Sequence, residues 1–440
     1  MNFRKIHSLF FVILFTLLGC SKESDPVLED PDSRLNKYLS ERLETLTDAP
    51  YGFKANLSTS LEKSFSLYIQ FDKNGRVSML SDFDDRSAVE LQTSSYRLKA
   101  LQRPSLLFDT YNYLTIFADP QGSVNGGVNG QGLKGDNDFG FVLDNADTVL
   151  LTGNKNGAIL HLAKATAEEQ KAFLAGGLGQ ARQQLASFLK ANSNLYLYVQ
   201  EQKIALAVDT RNRMLTLSKL EADGRTISST SSAFNYTVNG VEAVALKLGA
   251  DFVEKITWDN TKKAYMAQVG EKLLEVMVSP TPVFPLYLQF GFNKTYKVIG
   301  TTTNSLPAGV NSSFNQLWTT LNSNFTGTNR VIRSMEFKLI SDTQATLSIN
   351  YSSGTSNYVA DMSFTYAINQ SLMTLSNPKR DYSNSNWTAR IQQLKVLEDY
   401  ILKGPFVLDW VSSSSAAVTS PLGGLQPQDN AQAFLYGFLK

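Results

Sequence analysis

One thiol, two imidazoles and forty carboxylates bound the chemistry open to this 440-residue chain. The thiol is Cys20. It closes the stretch Leu17-Leu18-Gly19-Cys20, behind a basic start (Arg4, Lys5) and an apolar run from Leu9 to Leu18. About ten apolar residues are too few to span a bilayer as a helix, and a small residue before the cysteine suits signal-peptidase cleavage. This is the layout of a lipoprotein signal peptide over residues 1–19. The expected chemistry is acylation of the Cys20 sulfur by diacylglycerol, with a further chain such as palmitate on the amine that cleavage exposes. Each buried methylene contributes about 0.8 kcal/mol, so several chains on one residue make a lasting anchor. Cys20 is therefore the expected lipidation site, and outer-membrane lipid the first expected partner.

The other reactive groups are scarce or unselective. With Cys20 acylated, no thiol remains for a disulfide, a cysteine nucleophile or a cysteine metal site. His7 leaves with the signal, so a multi-histidine zinc site is excluded and a Ser-His-Asp triad would have to use His161. His161 sits in Ala158-Ile159-Leu160-His161-Leu162 after the turn-like Asn156-Gly157, which reads as a strand position. A carboxylate pair would suffice for a glycosidase, but sequence spacing singles out no pair, and no catalytic residue is assigned. For a hard cation, Asp82, Asp84 and Asp85 share one loop, Asp119 lies in another, and Asp136, Asn137 and Asp138 in a third. Calcium takes about six to eight oxygens from such loops, which makes Asp82, Asp84, Asp136 and Asp138 its candidate ligands, although the EF-hand pattern is absent. The Gly/Asn-rich segment 122–140 lacks the spacing and the lysine-serine ending of a phosphate loop. Trp258, Trp318, Trp387, Trp410 and Tyr111-Asn112-Tyr113 offer rings that would stack on sugars; Trp387 also fits a helix's apolar stripe and Trp410 a strand. No cofactor is implied.

These groups must be held by a large, mostly β body. Hydrophobic residues make up 42% and aromatics 11% of the chain, a globular composition with enough length for two or three cores. Removing Arg4 and Lys5 from the 41 basic residues leaves 39 against 40 acidic ones, so a mature charge near −1 gives no electrostatic case for nucleic acid. Residues 20–33, polar and acidic, read as the lipidated cysteine and a flexible tether. A helix is expected to start at Asp30-Pro31, carry Leu35, Tyr38, Leu39, Leu43 and Leu46 on one stripe, and stop at Asp48-Ala49-Pro50. Strands are expected at 65–71, 77–80, 95–101, 106–108, 113–118, 139–143, 148–152 and 158–163. A helical region follows the capping box Thr166-x-x-Glu169, with Gly176, Gly177 and Gly179 as a break.

Strands resume at 195–199, 204–208 and 214–217, and the alternation is clearest in Ala345-Leu347-Ile349-Tyr351 and Met362-Phe364-Tyr366-Ile368. A late helix carries Trp387, Ile391, Leu394, Leu397 and Ile401. The fold class is mainly β (α+β): two antiparallel-sheet or open-barrel domains with a few packing helices. Their expected bounds are 34–190 and 191–440, the second with a candidate subdivision at the prolines of 280–285.

Several stretches resemble a known family. Ala49-Pro50-Tyr51-Gly52-Phe53-Lys54 is similar to its opening motif, and residues 96–111 (Tyr96-Arg97-Leu98-Lys99-Ala100-Leu101-Gln102-Arg103-Pro104 and onward to Tyr111) to its most distinctive segment. Asp119-Pro120, Asn125-Gly126-Gly127, Gly130-Gln131-Gly132 and Leu151-Thr152-Gly153-Asn154-Lys155-Asn156-Gly157 follow in order. Together they resemble domain of unknown function 4302, a family of Bacteroidota outer-membrane lipoproteins. The resemblance implies an outer-membrane lipoprotein associated with uptake loci, whose partners would be a TonB-dependent porin and its binding lipoprotein. Ser21-Lys22-Glu23-Ser24-Asp25 is similar to the acidic export signals of such surface lipoproteins, which implies a site facing the cell exterior. The resulting expectation is an accessory ligand-binding or docking component in uptake of a glycan or peptide. A carboxylate-based hydrolase of extracellular polymers and a purely architectural subunit are the alternatives.

Overall fold

A computed structural model describes residues 30–145 and 147–440. The expected signal peptide 1–19, the expected lipidation site Cys20 and the part of the expected tether up to residue 29 lie outside the described residues. The chain is mainly β, its sheets antiparallel and its helices few, and it forms two compact units. One unit comprises residues up to Gln183 together with Asn235–Asn239; the other comprises Gln184–Phe234 and Gly240–Lys440.

In the first unit, helix α1 (Pro31–Thr47) begins where the Asp30 carboxylate accepts the Ser33 N–H at 3.1 Å. It half-buries Leu35, Tyr38 and Leu39 and buries Leu46. Eight strands follow: β1 (Phe53–Ser58), β2 (Ser64–Phe71), β3 (Arg76–Ser81), β4 (Gln92–Ala100), β5 (Pro104–Phe108), β6 (Asp138–Asp144), β7 (Thr148–Gly153) and β8 (Ile159–Lys164). Each pairs with the next, and β8 returns to β1 with Phe53 opposite Lys164 and Leu57 opposite Leu160, so the barrel is closed. Alternation decides what faces inward. Phe53, Ala55 and Leu57 are buried while Lys54 is exposed, and Leu67, Val77, Leu106, Phe139 and Leu151 complete the same core.

One expected strand is absent. Residues 113–118 instead hold a 3-10 turn, Thr115–Ala118. The Asn112 side-chain oxygen accepts the N–H groups of Leu114 and Thr115, each at 3.0 Å, and this local bonding replaces a strand ladder. The turn carries Ile116 and Phe117 into the barrel core, where the Phe117 ring lies 4.2 Å from that of Phe65. The long β5–β6 connection thus fills the barrel it belongs to. After β8, helix α2 (Ala167–Leu174) opens on the expected capping box: Thr166 Oγ1 accepts the Glu169 N–H and the Glu169 carboxylate accepts the Thr166 N–H. A break at Ala175-Gly176 separates it from α3 (Gly177–Ala191).

The next sheet contains β9 (Leu195–Val199), β10 (Gln202–Asp209), β11 (Met214–Leu220), β12 (Ile227–Thr237), β13 (Gly240–Leu248), β14 (Asp251–Asp259), β15 (Ala264–Val269), β16 (Lys272–Glu275) and β17 (Met277–Val278). Only Val276, whose N–H donates to the Tyr265 carbonyl, separates β16 from β17. β16 pairs with β15 and β17 pairs with β9 (Met277 opposite Tyr196), so residues 272–278 join the two edges of this sheet. With β16 and β17 counted as one strand, it has the same eight-strand up-and-down order as the first barrel.

A third sheet closes into the C-terminal barrel: β18 (Val298–Gly300), β19 (Arg330–Leu339), β20 (Gln344–Ser353), β21 (Ser356–Asn369), β22 (Leu372–Arg380), β23 (Phe406–Val411), β24 (Leu422–Pro427) and β25 (Leu435–Leu439). Its core takes Leu347, Ile349, Phe364 and Leu408 from strands, and Phe314, Trp318, Phe325, Leu394 and Leu397 from α4 (Phe314–Thr326) and α5 (Ile391–Ile401). The expected late helix is interrupted: a helical turn, Asn386–Ala389, precedes α5, with Arg390 between them. Among the described residues no helix is long and apolar enough to cross a membrane.

Candidate functional site

Every second residue of β23–β25 stands on the outer face of the C-terminal barrel. Val407, Asp409 and Val411 lie opposite Gln426, Gly424 and Leu422, and Gly424 and Leu422 lie in turn opposite Tyr436 and Phe438. Two loops meet above this floor, the strap of residues 304–311 and the β23–β24 loop. Ser414 donates both its N–H (2.9 Å) and its hydroxyl (3.1 Å) to the Gly309 carbonyl, and the Ser413 hydroxyl donates to the Ala308 carbonyl at 2.6 Å. Gly309 has φ +74°, and a side chain there would come within 2.5 Å of the Ser415 nitrogen; both constraints require glycine. The strap's other side is also tied. Asn315 donates to the Val310 carbonyl (3.0 Å) and the Trp318 indole N–H to the Asn304 carbonyl (3.0 Å).

Beneath these loops is a cavity of about 390 Å³ whose polar lining is Asn311, Asp409, Ser412, Ser414 and Gln426, with Phe434 and three valines as its apolar part. A groove of about 600 Å³ adjoins it along α4 and shares Gly309 and Val310. Asn315, Thr319, Asn322, Ser323 and Thr326 give the groove a row of amides and hydroxyls. Such a lining both donates and accepts hydrogen bonds, and its backbone is fixed before any ligand arrives.

All four tryptophans are packed against the protein, and two of them, Trp410 and Trp318, also line the cavity and the groove. Trp387 is fully buried with its N–H on Glu398 (2.7 Å), and Trp318 is buried in the core. Trp258 stacks edge-on with Phe188 and Tyr265, at 6.0 and 5.1 Å. Trp410 borders the cavity, but its indole N–H donates to the Phe284 carbonyl at 2.7 Å and its ring meets Tyr296 edge-on. Tyr111 is exposed and donates to Asp119, whereas Asn112 and Tyr113 are buried. His161 is exposed on β8, opposite Asn56 and Leu150.

The calcium candidates are acceptors for backbone and side-chain N–H groups. Asp82 is buried and accepts the Tyr236 N–H at 2.8 Å; Asp84 accepts the Ser87 N–H at 2.7 Å. Asp136 accepts three, from Lys155 (2.9 Å), Asn156 (2.8 Å) and Ala158 (3.0 Å), and so caps the β7–β8 turn. A side chain at Gly153 would come within 1.9 Å of the Asp136 carboxylate. Asp138 accepts from Asn154 at 3.4 Å. Among the described residues, no three His, Cys, Asp or Glu side chains are grouped to hold a metal. In the structure these acids serve as hydrogen-bond acceptors: Asp84 and Asp136 order turns, and Asp82 holds a residue of β12.

The stretches carrying the resemblance meet in the N-terminal barrel. Arg103 reaches across β6 to the Asn154 side chain (2.8 Å) and the Thr152 carbonyl (3.0 Å), and Asn154 donates to Ser105 (3.1 Å). Asn125 is buried and donates to the carbonyls of Ile116 (2.8 Å) and Asp119 (2.9 Å), which knits the glycine-rich loop into a fixed knot. Residues 27–260, over half of the chain, match the family described as Domain of unknown function (DUF4302). The chain belongs to that family. The DUF4302 match spans the N-terminal barrel and the following sheet through β14, and the C-terminal cavity lies beyond it. No curated protein matches the chain.

Sequence reasoning missed Asn311, Ser412, Ser414 and Gln426. The signals near them, Pro307-Ala308-Gly309 and the serine run 412–415, mark loops; only the folded barrel sets those loops over a strand face.

Proposed function

We propose that this protein is a lipid-anchored component of the outer-membrane surface, facing the cell exterior, that serves as an accessory ligand-binding or docking subunit in uptake of a glycan or peptide. The observation that carries the reading is the preformed cavity over β23–β24, with an adjoining groove. Its volume falls in the range of about 300–1,000 Å³ typical of small-ligand sites. The leader ending in Leu17-Leu18-Gly19-Cys20 supports the anchor, and the family resemblance supports the uptake setting and a TonB-dependent porin with its binding lipoprotein as partners. The cavity lining includes one carboxylate, Asp409, where double-carboxylate hydrolysis uses two, so binding fits it better than cleavage.

The test is an affinity pull-down of the lipidated protein from gently solubilised outer membranes, with Cys20→Ala as control, alongside calorimetric titration of the same protein with oligosaccharides and peptides. Co-recovery of a porin and its binding lipoprotein, together with saturable ligand binding weakened by Gln426→Ala, is the expected result. Recovery of the protein alone and no binding of either ligand class would overturn the proposal.

A further inference from the structure

We infer that the cavity and the groove form one continuous site for an unbranched, uncharged oligosaccharide laid across the strap of residues 304–311. This rests on the ligand-binding reading above and commits it to a chemical class.

Three observations select that class. First, the polar side chains lining the two spaces are Asn304, Asn311, Asn315, Asn322 and Gln426 with serines and threonines, and the one charged lining residue is Asp409. Amides and hydroxyls match sugar hydroxyls, which donate and accept at once, whereas an anionic chain would need a cation and would meet the Asp409 carboxylate instead. Second, the cavity floor is a sheet face, with β23 paired to β24 along Phe406–Val411 and β24 to β25, so an extended peptide lying on that floor meets side chains, not the backbone groups on which it could add itself as a strand. Third, the spaces share Gly309 and Val310, and the strap between them is tied down on both sides, to Ser413 and Ser414 and to Asn315 and Trp318. A ligand long enough to use both spaces gains contacts from each without ordering a loop. Phe434, half-buried at the cavity wall, supplies an apolar face for the carbon side of one ring.

The full mature chain is titrated with neutral oligosaccharides of one to six residues (malto-, cello-, xylo- and manno-series), with oligogalacturonates of the same lengths and with uncharged hexapeptides. Affinity is expected to rise with length in at least one neutral series and then level off, with the oligogalacturonates binding at least about tenfold more weakly. Gln426→Ala should weaken short and long members alike. Asn322→Ala, in the groove, should weaken only the long ones, by about tenfold, with unchanged thermal stability. Peptide binding in place of neutral sugar binding would overturn this inference while leaving the ligand-binding reading intact. Equal effects of Asn322→Ala on short and long ligands would overturn the continuous site, and failure of every ligand to bind would overturn both.

Discussion

Two buried carboxylates show how single residues hold this chain together. Asp136 is 2% exposed and gathers three backbone N–H groups of one turn. Asp136→Ala leaves those donors without their acceptor and should cost about 2–4 kcal/mol, read as a lower midpoint in urea unfolding. Glu398 is held by the Arg380 guanidinium, and its carboxylate also accepts the Trp387 indole N–H. The Arg380 hydrogen bonds lower its pKa from the usual 4.5, burial opposes them, and the Trp387 bond adds to the lowering. A carboxyl lowered on folding stabilises the protein above its unfolded pKa, and that contribution disappears as pH falls through the folded value. Wild type should therefore exceed Glu398→Gln in stability at pH 7, and the gap should narrow below about pH 4 in a pH series of unfolding curves. A constant gap would show that the charge is not the cause. Burial also pushes Tyr96 up to about 12, and its hydroxyl donates to the Asp72 carbonyl at 2.6 Å. Tyr96 belongs to the most distinctive stretch of the resemblance, and its role here is packing in the barrel core.

At the scale of elements, local patterning and tertiary demand agree for most strands and part company in two places. Strand alternation at 345–351 and 362–368 translates directly into buried and exposed faces of β20 and β21, because a two-residue period leaves no other choice when one face meets a core. The 113–118 stretch departs because Asn112 captures the following N–H groups. Leu67-Tyr68-Ile69-Gln70-Phe71 and Leu286-Tyr287-Leu288-Gln289-Phe290 also look alike, yet the first lies in strand β2 and the second runs through a 3-10 turn, Leu286–Leu288. The same side chains serve two backbones because both sites ask mainly for burial. The β12–β13 tip carries a buried amide that no sequence pattern marks. Its Asn235 is buried, accepting from Ser64 at 3.0 Å and donating to Ser66 at 2.7 Å, so Asn235→Ala should cost about 1–3 kcal/mol in thermal or urea unfolding. Gly309→Val should displace the strap and abolish binding in the C-terminal cavity while changing the melting temperature far less than Asp136→Ala, since Gly309 is exposed.

For the whole molecule, three barrel-like sheets carry the cores, and the N-terminal barrel sets apolar residues inward with Lys54, Asn56 and Ser78 at outward positions. That is the inverse of the apolar outer band of a membrane-spanning barrel. Under the anchoring proposed above, membrane attachment depends on Cys20. Cys20→Ala should move the protein from the membrane to the soluble fraction on cell fractionation, and retention in the membrane would show a second attachment. The sequence alone determined the mainly antiparallel β character, the start of α1 and the capping box of α2. Each of these depends on a few neighbouring residues or on a two-residue period. Only the tertiary structure decided that the strands form three rings, that Asp136 gathers the N–H groups of the β7–β8 turn while Asp82 meets β12, and that scattered asparagines, serines and a glutamine share one cavity. Ring closure and site assembly join residues more than a hundred positions apart, as Ile299 and Leu439 or Gly309 and Ser414 are, and no local pattern in a single chain encodes which distant loops will meet.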